Sequence, residues 1–348
     1  MNRKKISVGV LGATGSVGQK FIQLLEGHPF FELTEIAASD RSAGKHYKDA
    51  VNWILSTPIP GSIANMVVKG CEDAFESKLL FSAMDASVAG EIESLLAGRG
   101  HFIASNSKNH RWDADVPLLV PEVNPDHLSL LKFQNYNGGG IVTNPNCSTI
   151  GLVLALKPLH DAFGIEKLNV VTMQALSGAG YPGVSSLDII DNVVPFIGGE
   201  EEKLETEPNK IFGKLSGDHI QLANLKISAQ TNRVAVLDGH LETVQITLRE
   251  KATIEEIIAA WTNFTSAPQS LDLPFAPLKP VHYFTESKYP QPRLHRDLDK
   301  GMATSIGRLR PCSLFDYKFV ILSHNTIRGA AGGSILGAEL MAAQGLLA

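Results

Sequence analysis

Cys147 stands in "TNPNCSTIGL" (143–152), between an Asn-Pro-Asn turn and an apolar run. Pro145 fixes its own φ and biases Asn144 towards extended backbone. Asn146 is a good N-cap residue, and Ser148 and Thr149 also suit a helix start. The spacing predicts a strand over "GIVT", a tight turn, and a helix running from near Cys147 to Phe163 despite Pro158. A thiol at a helix N-terminus meets partial positive charge and unpaired N–H groups, so it loses its proton more readily than a free one. That is the setting of a nucleophile; on this stretch alone the other reading is a buried packing cysteine. His240, in "DGHLE", is a candidate proton carrier, because imidazole titrates near neutral pH. A lone histidine on a strand also serves as a plain hydrogen-bonding group.

Such residues need a frame. "ISVGVLGATGSVGQKFIQLLEGHPFFELTEIAAS" reads as strand, turn, helix, strand. Gly12, Gly15 and Gly18 fall at three-residue spacing after a β-branched run, and Val17, Phe21, Leu24 and Leu25 follow at helical spacing. Glycines there permit a tight turn and close approach of a pyrophosphate, which the helix N-terminus faces. The expected contacts are Gly12, Thr14, Gly15, Ser16 and Val17. The second strand ends in "AASDRSAGK". Small Ala38 and Ser39 leave room, and Arg41, Ser42 and Lys45 suit a 2′-phosphate, which favours NADP; Asp40 keeps NAD open. "KLLFSAMD" (78–85), with Ser82 near its end, and "HFIASNS" (101–107) continue the alternation of strand and helix that makes a doubly wound parallel sheet.

The second half changes character. "LNVVTMQALSG" (168–178), "VAVLDGHLETVQITL" (234–248) and "KFVILSHN" (318–325) read as long strands, and "TIEEIIAAWTNF" (253–264) as a helix opened by a Thr-x-x-Glu capping box. Few helices among these strands imply an α+β domain built on one main sheet. The small-residue stretch at the C-terminus reads as a helix returning to the nucleotide domain. The expected units are 1–146 for the nucleotide, 147–325 for catalysis and dimerisation, and 326–348 for the returning helix.

The 348 residues are 44% hydrophobic and 19% charged, enough for two packed domains. A net charge of −5 gives no reason to expect nucleic acid. No run approaches a membrane span. The basic head "MNRKK" precedes an apolar run too short for a signal peptide. Three distant cysteines, Cys71, Cys147 and Cys312, argue against a disulfide framework or metal cluster and suit the reducing cytoplasm.

"GATGSVGQ", "NPNCST", "QALSGAGYPG", "GGEEEK", "RVAVLDGHLE" and "SHNTIRGAAGG" occur in one order over nearly the whole chain. In these motifs it resembles aspartate-semialdehyde dehydrogenases, and "AASDRSAGK" and "NHRWDADVPLLVPEVNP" resemble their archaeal and fungal branch. The resemblance implies NADP-dependent interconversion of L-aspartyl 4-phosphate and L-aspartate 4-semialdehyde with release or uptake of inorganic phosphate, on the way to threonine and methionine. It implies Cys147 as nucleophile through a thioester, Asn146 orienting it, His240 as acid–base residue and Gln174 beside them. Arg233 matches the group gripping the substrate carboxylate, Glu200 one near its amine, and Lys203 and Arg111 phosphate-side positions. The "EEE" run leaves Glu201 and Glu202 as alternatives to Glu200. Ser177 and Gly178 are further expected cofactor contacts, and Asn325 matches a position near the nicotinamide amide. Homodimers or homotetramers are implied. A CoA-thioester reductase and a catalytically silent NADP-binding regulator are the competing readings.

Overall fold

The structure, a computed structural model, describes residues 4–347; residues 1–3 and 348 of the expected units, and with them the start of the basic head, lie outside the described residues. The first half forms β1 (Ile6–Leu11), α1 (Ser16–Leu25), β2 (Phe31–Ala38), β3 (Lys69–Gly70), β4 (Leu79–Ser82), α2 (Ala86–Gly98), β5 (Phe102–Ser105) and β6 (Gly140–Thr143). These six strands make one parallel sheet ordered β3-β2-β1-β4-β5-β6. The order reverses beside β1, which opens a crevice at the strands' carboxyl ends, where α/β folds bind nucleotides. β1 has no alternation: Val8, Val10 and Leu11 are all fully buried, as a strand covered on both faces requires.

From Cys147 the chain builds a second unit. α3 (Cys147–Phe163) leads into β7 (Ile165–Gln174), and α4 (Glu200–Ile211) is followed by a small hairpin, β8 (Lys214–Ser216) and β9 (His219–Gln221). Then come β10 (Lys226–Arg233), β11 (His240–Leu248), α5 (Ile254–Thr262), β12 (Val281–Phe284), β13 (Thr304–Pro311) and β14 (Tyr317–Ser323). The main sheet is mixed and ordered β10-β7-β11-β14-β13-β12. α3 runs unbroken past Pro158. Thr253 and Glu256 close the capping box of α5. Trp261 is buried between Phe319 and Tyr283 and donates its indole N–H to Ala155 O at 2.8 Å, pinning α5 to α3.

Two expected strands are shorter than their apolar runs. The segment 168–178 leaves the sheet after Gln174 into a single turn, Leu176–Ala179. The segment 234–248 pairs only from His240, because Gly239 turns the chain at φ +97°. After β14, a π-helical turn at Ile327–Ala331 precedes α6 (Gly332–Ala343). Ile335, Leu336, Leu340 and Met341 of α6 pack in one cluster with Val8, Phe21, Ile36 and Phe81 of the first unit. Each such side chain contributes about 1.5–3 kcal/mol on burial, so the C-terminal helix completes the core of the first unit. Among the described residues no helix is long and apolar enough to cross a membrane.

Candidate active site

Strand register gathers the chemistry. Arg233 lies opposite Gln174, and Leu241 opposite Met173, so β7, β10 and β11 deliver Gln174, Arg233 and His240 to one end of the sheet. The N-terminus of α3 arrives at the same end. Asn146 is its N-cap, with Oδ1 accepting from Ser148 N–H at 3.0 Å and from Thr149 N–H at 3.4 Å, so Cys147 is the first helical residue. The π turn backs it: a Cβ on Gly329 would sit 2.7 Å from Cys147 Cβ, so only glycine allows this approach.

Cys147 Sγ lies 3.1 Å from His240 Nε2. On the other side of the ring, Nδ1 accepts the Ala175 N–H at 3.1 Å. A neutral imidazole whose Nδ1 accepts carries its proton on Nε2, so that N–H points at the sulfur. Burial pushes His240 down to about 3; Glu200 opposes this, while Arg233 and His324 add to it. Burial also pushes the Cys147 thiol up to about 12, with Glu200 acting in the same sense against Lys203, Arg111 and Arg233. Desolvation thus works against the helix terminus and favours a thiol beside a neutral imidazole, although Cys147 is only half-buried.

Glu200 begins α4 and faces this pair. Its carboxylate accepts both contacts of Asn146 Nδ2 (3.0 and 2.8 Å), Gln174 Nε2 at 3.3 Å and Lys203 Nζ at 2.7 Å. Burial alone would raise its pKa, but the Lys203 ammonium and these hydrogen bonds outweigh it and hold the carboxyl below its ordinary range. The neighbouring glutamates face elsewhere: Glu201 accepts from Thr231 N–H on β10, and Glu202 is exposed. Arg233 donates to Ala175 O at 2.6 Å, so the backbone of one residue, Ala175, ties Arg233 to His240. Arg111 is buried and donates to Glu207 at 2.7 Å and to Asn106 O at 3.2 Å.

The glycine loop suits a dinucleotide. Gly12 has φ +73°, and a Cβ there would lie 2.6 Å from Ala83 O; one on Gly18 would lie 2.2 Å from Gly12 O. Gly15, by contrast, is exposed and open. The first turn of α1 carries no acidic residue, and no side chain caps its N–H groups, which leaves them for an anion. At the tip of β2, Ser39, Asp40 and Arg41 are exposed and Ser42 is buried.

Against known proteins, the semialdehyde dehydrogenase NAD binding domain matches residues 7–131, and the semialdehyde dehydrogenase dimerisation domain matches residues 156–328. An aspartate-semialdehyde dehydrogenase of Archaeoglobus fulgidus is 48% identical over 341 residues, covering 97% of this chain and 98% of the relative. One from Schizosaccharomyces pombe is 48% identical over 352 residues, covering 98% and 99%. The chain belongs to the aspartate-semialdehyde dehydrogenase family. A crystal structure of the Candida albicans aspartate-semialdehyde dehydrogenase with NADP superposes with a TM-score of 0.91 at 42% identity, over 99% of this chain and all of that one. The two-domain α/β fold is thus that of the family.

Several of the expected cofactor residues also have partners or cover within the protein. Asn325 is buried, its Oδ1 accepting Gly239 N–H at 2.8 Å and its Nδ2 donating to Ser177 Oγ at 2.8 Å. Both residues brace the turn before His240. Ser82 is fully buried at the end of β4, so its hydroxyl faces the interior. Gly178 is exposed, but a Cβ on it would meet Arg233 Nη1 at 2.9 Å and His240 Cε1 at 3.2 Å; it makes room for these two side chains. Sequence reasoning missed Ala175, which acts through its backbone, and Glu207 and Lys210, whose helix reads as a plain charged surface.

Proposed function

We propose that this protein reduces L-aspartyl 4-phosphate to L-aspartate 4-semialdehyde with NADPH, reversibly and with release of inorganic phosphate. The observation that carries this reading is the 3.1 Å contact between Cys147 Sγ and His240 Nε2, set among Glu200, Lys203, Arg233 and Arg111. Sγ attacks the acyl carbon, the C–S bond forms, and the bond to the phosphate oxygen breaks. The phosphate leaves with the thiol proton, and a thioester remains, which accepts hydride far better than a carboxylate. NADPH would supply the hydride when bound; Gly12, Gly15, Ser16 and Val17 would hold its pyrophosphate, and Ser39, Arg41 and Ser42 its 2′-phosphate. Arg233 takes the substrate carboxylate, Glu200 the amine, and Arg111 and Lys203 the phosphate.

His240 works in this scheme as a neutral donor. Its Nε2–H is aimed at Sγ and so at the oxygen on the carbon that Sγ holds, where it stabilises the developing oxyanion. Collapse of that oxyanion expels the thiolate, which takes up one proton from solvent to restore the thiol that was lost with the phosphate. The family resemblance implies an acid–base histidine; the occupied Nδ1 favours the donor reading instead. We further infer a homodimer or homotetramer in the cytoplasm. Tyr181, Leu187, Ile190 and Phe196 are 63%, 89%, 66% and 66% exposed on one short segment, an apolar patch that self-association would cover. All three cysteines are free, as suits a reducing compartment.

The test is turnover of aspartate semialdehyde with NADP and inorganic phosphate, followed by NADPH absorbance. Phosphate-dependent oxidation is expected. Oxidation that runs with CoA and not with phosphate would refute the acyl-phosphate assignment.

A further inference from the structure

Glu207 lies about two turns beyond Glu200 on α4 and is 1% exposed. Its two oxygens serve two separate groups. Oε1 accepts from Arg111 Nη1 at 2.7 Å, and Oε2 accepts the backbone N–H of Asn146 at 2.8 Å. One carboxylate therefore joins the phosphate-side arginine to the residue preceding the nucleophile. The same helix grips the arginine's loop a second time: Lys210 Nζ donates to Arg111 O at 2.7 Å and to Asp113 O at 2.8 Å. Arg111 Nη2 is tied to Asn106 O, while its buried Nε has no protein partner. The guanidinium is thus held from one side with donor capacity to spare.

α4 is itself immobilised. Glu205 accepts from Ala229 N–H, Glu201 from Thr231 N–H, and Asn209 bonds both the N–H and the C=O of Leu225. These residues recur every four positions and lock the helix to the edge of β10. Its other face then presents Glu200, Lys203, Glu207 and Lys210 to the active site as one rigid row.

We propose that Glu207 is a positioning residue that sets the phosphate-gripping guanidinium of Arg111 in register with the Asn146–Cys147 turn. The proposal rests on Arg111 holding phosphate. Only glutamate meets the geometry. Glutamine has one acceptor where two are used, and aspartate is shorter by one C–C bond of about 1.5 Å and cannot keep both contacts.

Glu207→Asp keeps the charge and changes the geometry, so it separates positioning from electrostatics. In the phosphate-dependent oxidation assay it should raise KM for inorganic phosphate about tenfold, the loss of one charge-assisted contact, with KM for aldehyde and for NADP within about twofold. In an Arg111→Ala background it should add less than about twofold, because the contact it tunes is already gone. Additive losses would overturn the proposal. So would an unchanged phosphate KM in Glu207→Asp together with a lowered one in Glu207→Gln, the signature of a mere negative charge. A fall in melting temperature with all three KM values moving alike would mark a structural residue and overturn it as well. Should Glu207→Asp not fold, Glu207→Gln enters the same cycle, and additivity with Arg111→Ala decides. If Arg111→Ala itself leaves phosphate KM unchanged, the reading of Arg111 falls and this proposal with it; if Arg111→Ala raises it and Glu207→Asp does not, Glu207 alone is refuted.

Discussion

Protonating His240 is costly in the folded protein. Burial moves it from 6.5 to about 3, and an added proton on Nδ1 would face the Ala175 N–H. The shift corresponds to about 5 kcal/mol. The sign follows from proton counts. Below pH 6.5 the unfolded chain takes up a proton that the folded site refuses until about pH 3, so stability is complete above 6.5 and lost as pH falls towards 3. At about pH 4.5 the loss from this one group reaches roughly 3 kcal/mol. His240→Gln removes the titration and keeps an amide donor near Sγ. Urea unfolding at about pH 7.5 and about pH 4.5 should show the wild type losing roughly 3 kcal/mol more than His240→Gln. Imidazole ¹⁵N NMR should find the Nε2–H tautomer throughout this range. His240→Ala should lower kcat by roughly 10²–10³, as removal of an oxyanion donor does, and His240→Gln much less. A His240 resonance titrating between about pH 6 and 7, an Nδ1–H tautomer, or a His240→Gln enzyme as inactive as His240→Ala would refute the neutral-donor argument.

Cys147→Ala should abolish turnover while NADP still binds in a fluorescence titration; in the free wild-type protein, iodoacetamide should modify Cys147 about tenfold faster per pH unit up to about pH 10, since its thiol lies near 12. A rate plateau near neutral pH would show a resting thiolate. Arg41→Ala should weaken NADP about tenfold or more and NAD hardly at all, measured as the ratio of their KM values. Gly178→Ala should lower kcat/KM at least tenfold without loss of folding by circular dichroism, because its Cβ would stand 2.9 Å from Arg233 Nη1 and 3.2 Å from His240 Cε1.

What was legible depended on how local the signal was. The β1–α1–β2 unit shows itself because its glycines, apolar run and helical spacing lie within a few dozen residues. The Asn146 cap and the Thr253 capping box are local side-chain-to-backbone bonds, and both form. β10, "KISAQTNR", escaped because only its pairing with β7 and its cover by α4 make it a strand; alone it is a polar segment. The true start of β11 escaped because the apolar "VAVL" before it continues the pattern while Gly239 breaks the backbone. The surroundings of Cys147 are non-local for a related reason: a helix N-terminus is visible in the sequence, but His240 and Gly329, which pack on the thiol, and Glu200, whose charge opposes its ionisation, come from distant segments.

α4 is the sharpest case. "EEEKLETEPNKI" has the composition of a solvated surface helix, and nothing in its local pattern says otherwise. Its charges are sorted by partner rather than by solvent. Glu201 and Glu205 replace the missing neighbour strand of β10 by accepting its N–H groups. Glu200 collects Asn146, Gln174 and Lys203, and Glu207 takes Arg111 with Asn146 N–H. A buried carboxylate is tolerated only when its lone pairs are filled, and breaking such a pair costs about 3–5 kcal/mol. The helix is therefore bonded at once to the sheet edge, the Asn146–Cys147 turn and the Arg111 loop. The same bonds make it the element that keeps those three in register when substrate binds.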